Sequence, residues 1–136
     1  MFKSIKKYFN RAKDKTAKEY TIAPEKKIPS KIWTGVDLDG TLAYLDRNSS
    51  YGEVGRPVPA MMALVRKMIN SGIRIKIFTA RAEDPEQCHI IRKWLKDNNL
   101  PEFEITNVKD YDMQRLYDDR CIQVERNTGR LIVDDK

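Results

Sequence analysis

With 136 residues the chain has enough length for one buried core, and it contains no apolar run of the roughly eighteen residues that a membrane-spanning helix needs. Its charged N-terminus lacks the apolar core of a signal peptide, and Cys88 and Cys121 form no CxxC or Cys/His spacing; a reduced, cytoplasmic protein without structural zinc is expected. The net charge of +6 divides unevenly, +7 over residues 1–31 and −1 over the rest, which argues against a nucleic-acid surface spread over the whole domain.

The first segment, residues 1–31, places Phe2, Ile5, Phe9 and Ala12 at helical spacing with lysines over the opposite face. Pro24 and Pro29 then mark an extended linker. A basic amphipathic helix of this kind suits an anionic membrane or a nucleic-acid backbone, and equally a helix laid on its own domain or a frayed tail. The expected organisation is therefore an arm and linker over residues 1–31 and one domain over residues 32–136.

In that domain KIWTGVDL reads as a strand that stops at Asp-Gly. PVPAMMALVRKMINSG reads as a helix, with prolines at its start, Gly72 past its end, and Val58, Met61, Val65, Met68 and Ile69 in one stripe. IRIKIFTA is a second strand, unusual in carrying Arg74 and Lys76, which implies a partly covered face or snorkelling stems. DPEQCHIIRKWLKDNN is a second helix: Asp84 caps it, Pro85 opens it, Gln87 closes a capping box, and Cys88, Ile91 and Leu95 face inward. FEITNV and RLYDD give two further strands, and CIQVE-RNTG-RLIV a closing hairpin turning at Asn127 and Gly129. Strand and helix alternate, the pattern of an α/β fold with a mainly parallel sheet and helices against its faces, whose ligands bind beyond the carboxyl ends of the strands.

Those strand ends gather the chemistry. The first ends in Asp37 and Asp39, the second in Thr79 with Arg81 just after, the third runs into Lys109, and the fourth into Asp118 and Asp119. Residues two apart on a strand project to one side, so Asp37 and Asp39 look into the same rim, while Gly40 lets the chain turn sharply. Asp37 with Asp118 suits Mg²⁺, which prefers oxygen ligands and a substrate phosphate, with Asp119 adding charge or holding a metal-bound water. Asp37, kept ionised by the metal and Lys109, serves as a nucleophile, and Asp39 starts protonated as the acid for the leaving oxygen and later the base for water. Thr79 and backbone N–H groups near Gly40 and Thr41 are expected to hold the phosphoryl oxygens. Uncatalysed phosphomonoester hydrolysis calls for roughly 20 kcal/mol of barrier lowering, so these parts must act together. Singly, each has a plainer use: DLDG as an Asp-Gly turn, Thr79 as a strand end, Lys109 as a surface lysine, DDR as a salt-bridged turn. Arg81 and Arg120 neutralise nearby acids, and lone His89 reads as a helix-surface residue. The spacing is not that of a calcium loop.

The ordered set VDLDGT, IFTAR, TNVKD and LYDDR resembles the four motifs of the haloacid dehalogenase superfamily over residues 32 to about 125. The resemblance implies a Rossmann-like three-layer sandwich. It makes Asp37 correspond to the nucleophile, Asp39 to the general acid/base, Thr79 to the phosphate-binding hydroxyl and Lys109 to the stabilising lysine. Metal ligands are then expected among Asp37, Asp39, Asp118 and Asp119, and substrate contacts among Gly40, Thr41, Thr79, Ala80, Arg81 and Lys109. Members that hydrolyse phosphate esters carry the second Asp of the first motif, where dehalogenases lack it and transport ATPases have Thr, so Asp39 implies a phosphatase. Adjacent acids in the fourth motif also occur in the family, in deoxyribonucleotidases and polynucleotide-kinase phosphatase domains.

Only residues 42–56 separate the first motif from its helix, which leaves room for a flap bearing Tyr44, Tyr51 and Arg56 but not for a cap domain. The implied site is open, as in members that act on macromolecular ends or borrow a neighbouring subunit as a lid. The expected activity is thus a Mg²⁺-dependent phosphomonoester hydrolase acting on a phosphorylated small molecule. Two alternatives stand beside it: a phosphatase for nucleic-acid ends that uses the basic arm, and a non-catalytic Mg²⁺-binding interaction module. Oligomerisation fits any of them.

Overall fold

The computed structural model describes residues 31–46 and 51–133. Apart from Lys31, the arm and linker expected over residues 1–31 lie outside the described residues. Strand β1 (Trp33–Asp37) is followed by helix α1 (Pro59–Asn70), β2 (Ile75–Phe78), a 3-10 turn (Ala80–Glu83), helix α2 (Pro85–Asp97), β3 (Glu104–Thr106) and β4 (Met113–Tyr117). Two short strands, β5 (Gln123–Val124) and β6 (Leu131–Ile132), form an antiparallel hairpin as a separate sheet. Its turn takes Asn127 and Gly129 through positive φ, as the sequence led one to expect.

Local chemistry sets the helix ends. The Asp84 carboxylate accepts from the Glu86 N–H at 2.9 Å, and Pro85 opens α2. The capping box does not close: the Asp84 N–H donates instead to the Arg81 carbonyl, and Gln87 turns inward to another partner described below. Pro59 opens α1 without a side-chain cap, and Gly72, at φ +77°, follows its end. The helix buries Met62, Val65 and Met68, so its inward face is turned slightly from the expected stripe, and Met61 and Ile69 are only half-buried.

The four main strands are all parallel and lie in the order β3-β2-β1-β4. Both crossovers step the same way across the sheet, and connections of the usual right hand then put both helices on one face, where they share a core. There Met62, Val65, Met68, Ile91, Trp94 and Leu95 pack with Val36, Leu38, Ile75 and Ile77 in one core. Among the described residues the fold is thus α/β, a four-stranded parallel sheet with two helices packed on one face, compatible with a Rossmann-like arrangement.

Residues 107–112 carry the chain from β3 back to β4 across the other face, where Trp33 donates to the Asp110 carboxylate at 2.8 Å. Lys76 explains its place in a strand there. It is buried, its Nζ lies over the Trp33 ring at 4.5 Å, and it pairs with Glu104 at 3.0 Å and Asp110 at 3.8 Å. The stem of Lys76 covers part of a face that no helix among the described residues shields. The order in which strands are added switches sides at β1, because β2 and β3 build to one side and β4 to the other. The carboxyl ends of β1 and β4 therefore flank a crevice, the position where such sheets bind ligands.

Candidate functional site

The turn after β1 is wound around one carbonyl. Leu38 O accepts from Thr41 N at 3.2 Å, Leu42 N at 3.0 Å and Ala43 N at 2.9 Å, while Gly40 N donates to Ala43 O at 2.8 Å. The N–H groups of Gly40 and Thr41, expected to hold phosphoryl oxygens, are therefore spent inside the turn. Gly40 has φ +88°, and a Cβ there would stand 2.6 Å from an oxygen of Asp119. This position admits only glycine for two separate reasons, backbone conformation and the acid behind it.

That acid belongs to a cluster. Carboxylate oxygens of Asp37, Asp118 and Asp119 all lie within 4.8 Å of one another. Asp37 and Asp118 are half-buried and Asp119 is exposed. The Thr41 hydroxyl ties the group together at 3.1 Å from Asp37 and 3.2 Å from Asp119, and it accepts from the Asp119 N–H at 3.1 Å. Burial, with a hydrogen bond to Asp119 and the charge of Asp118 behind it, pushes the Asp37 carboxyl up from 3.8 to about 7, against the opposing pull of Thr41. Among the described residues no side-chain cation pairs with these three acids, and three oxygen donors at this spacing suit a hard divalent ion. The residues present thus fit Mg²⁺.

Asp39, two residues on, stands in a different environment. It is outside the three-acid group and is gripped by Arg81, whose Nε donates to one oxygen at 2.9 Å and whose second terminal nitrogen donates to the other at 2.8 Å. The expectation that Asp39 joins the metal set gives way to an ion pair. Thr79 is buried at the end of β2 and accepts from the Arg81 N–H at 3.2 Å, which starts the 3-10 turn and swings Arg81 inward.

A cavity of about 730 Å³ opens over these ends, lined by Asp37, Asp39, Thr79, Ala80, Arg81 and Asp118 among others. Lys109 is not among the lining residues; it lies exposed on the crossing segment, and Asn107 is the residue of that segment that reaches the cavity. Nor does Lys109 enter the forces acting on Asp37, so the expected lysine support for a charged nucleophile is not seen. Arg120 is the exposed cation of the lining.

In the flap, Tyr44 and Arg56 stack on each other at 4.2 Å, while Tyr51 and Leu45 reach the cavity. Sequence reasoning missed the bridging hydroxyl of Thr41, the inward turn of Gln87, and Asn107. Of these, Thr41 and Asn107 sat inside quoted motifs, VDLDGT and TNVKD, and Gln87 did not. No family model and no solved structure matches the chain.

Proposed function

We propose that this chain is a Mg²⁺-dependent phosphomonoesterase of the haloacid dehalogenase type, capless and open, working through an aspartyl-phosphate on Asp37. One observation carries the reading: two acids two residues apart at one strand end occupy opposite environments. Asp37 sits in an uncompensated acidic cluster fit for a cation, and Asp39 in a guanidinium fork beside it. Asp37, Asp118 and Asp119 would hold the metal, which when bound supplies charge neutralisation for the nucleophile and the transferring phosphoryl oxygens.

The proton of the bound monoanionic ester first passes to Asp39, which stands as a carboxylate in its ion pair with Arg81. Asp37 then attacks phosphorus, the bond to the ester oxygen breaks, and Asp39 gives that proton to the leaving oxygen, releasing an alcohol. Asp39, again a carboxylate, takes a proton from water as the water attacks the aspartyl-phosphate. The bond from phosphorus to Asp37 breaks, and inorganic phosphate leaves with that proton, both carboxylates restored. The net reaction consumes one ester and one water and yields one alcohol and one phosphate. Thr79 keeps its hydroxyl hydrogen free to donate to a phosphoryl oxygen, and Arg120 offers the cation that Lys109 does not.

An aryl phosphate assay tests this directly. Turnover is expected with Mg²⁺ and is expected to vanish in excess EDTA and in Asp37→Asn. Turnover that persists under either condition overturns the mechanism, and Mg²⁺ binding without turnover across a broad ester panel leaves a binding module instead.

A further inference from the structure

The Arg81 guanidinium commits every one of its five N–H groups to protein acceptors. Two go to Asp39. One terminal nitrogen donates to Gln87 Oε1 at 3.0 Å and to the Tyr51 carbonyl at 2.8 Å. The other adds the Glu53 carbonyl at 2.8 Å to its bond with Asp39. Arg81 is 6% exposed and Gln87 5%, so the guanidinium and its amide partner are taken out of water. A substrate-binding arginine needs donors to spare, and this one has none.

We infer that Arg81 is a positioning residue: one fully bonded guanidinium fixes both the direction of Asp39 and the seat of loop residues 51–53, and Gln87 stops the fork from turning. The inference rests on the phosphomonoesterase reading. A carboxylate oxygen has two lone pairs, so an oxygen held by Arg81 keeps a second site for the proton it passes to and from the reacting oxygens. The fork then decides where that site points. Angular and distance errors of small size at an acid cost on the order of a hundredfold in rate. Lysine cannot replace the fork, because a point charge with three donors cannot grip both oxygens and two carbonyls in one plane. Among the described residues, Arg81 is the polar partner of the Gln87 side chain. Its burial on the first turn of α2 therefore makes sense as an anchor for the guanidinium.

The test compares two esters that differ in their need for an acid. The alkoxide of glycerol 2-phosphate cannot leave without a proton, whereas dinitrophenolate leaves without one. With Mg²⁺ present, kcat/KM for glycerol 2-phosphate is expected to fall about 100-fold in Arg81→Lys and about 10-fold in Gln87→Leu. For dinitrophenyl phosphate each variant is expected within about threefold of the parent. A purely structural role lowers both esters equally, and that result overturns the inference while leaving the phosphatase reading intact. Unchanged kcat/KM on both esters does the same. If the parent protein cleaves neither ester, the phosphomonoesterase reading fails and takes the inference with it. Circular dichroism checks folding, and should Arg81→Lys not fold, the ester ratio in Gln87→Leu decides alone.

Discussion

Gly40 shows how tightly a single residue can be determined by two neighbours at once. Its φ of +88° already disfavours any side chain, and a Cβ would press within 2.6 Å of Asp119. Gly72 shares the first constraint at φ +77° but has nothing within 4 Å of its own virtual Cβ. The pair therefore separates strain from collision. Gly72→Ala is expected to cost about 1 kcal/mol of stability and to leave Mg²⁺ affinity alone. Gly40→Ala is expected to cost about 2 kcal/mol or more and to weaken Mg²⁺ binding about tenfold, because Asp119 has to move. Thermal melts and calorimetric Mg²⁺ titrations of the two variants check this, and equal Mg²⁺ affinities would remove Asp119 from the site. Thr41 acts by a different route. Its hydroxyl is the one contact that lowers the Asp37 carboxyl, so Thr41→Val is expected to leave Asp37 more protonated at neutral pH. The Mg²⁺ titration should then shift to higher pH than in the parent, a displacement readable by the same calorimetry.

At the scale of elements, the flap is held by its stems, by the two bonds from Arg81 to its carbonyls and by one bond from α2. Tyr44 N donates to Arg56 O at 2.8 Å, Ala43 bridges Pro57, and Trp94 of α2 donates to the Gly55 carbonyl at 2.8 Å. Gly55 passes so close to the Tyr44 carbonyl that a side chain has no room. Trp94→Phe removes the donor and the pyrrole part of a buried indole, so a loss of about 1–3 kcal/mol is expected, together with faster amide exchange over residues 51–56. Unchanged exchange there would mean that the stems and Arg81 seat the flap without Trp94. How far such elements could be read in advance depends on the range of the force that makes them. Asp84 and Pro85 announce α2 because a cap is a bond between residues two apart. The stripe on α1 was legible to within one position, Met62 facing in where Met61 was expected, since sheet packing and not periodicity fixes the final rotation. Gln87 was misread as a capping partner because its true partner, Arg81, meets it only after the 3-10 turn has formed. Lys109 was misplaced because the placing of β4 beyond β1 is not written in any short stretch. It sends residues 107–112 across the sheet rather than along the rim.

For the molecule as a whole, a site built from repelling acids must show in the pH dependence of folding. Asp37 binds its proton more tightly in the fold, at about 7, than in the unfolded chain at 3.8. Between those values the folded state carries the extra proton, so stability declines as pH rises. The contribution is complete below about pH 3.8, fades as pH climbs through about 7, and is absent beyond. Asp110 and Glu125 have the opposite sense, held low by Trp33 and Arg130 respectively, and their contributions are lost only as the solution becomes strongly acid. Of these three carboxyls, Asp37 is the one that acts over the interval from about pH 5 to 8. In the metal-free protein, with a half-exposed carboxyl partly screened by solvent, the decline across it is expected to be on the order of 1–2 kcal/mol. In a domain of this size that is a fall in Tm of roughly 5–10 °C. Asp37→Asn should flatten the curve and melt higher than the parent at pH 8, since the amide stands for the protonated acid at every pH. Saturating Mg²⁺ should flatten it too, by taking the place of the proton among the same three carboxylates. A metal-free parent whose Tm stays level from pH 5 to 8, or a slope that Mg²⁺ leaves untouched, would show that the three acids do not share one site. The chemistry assigned to Asp37 would then have no ion to support it.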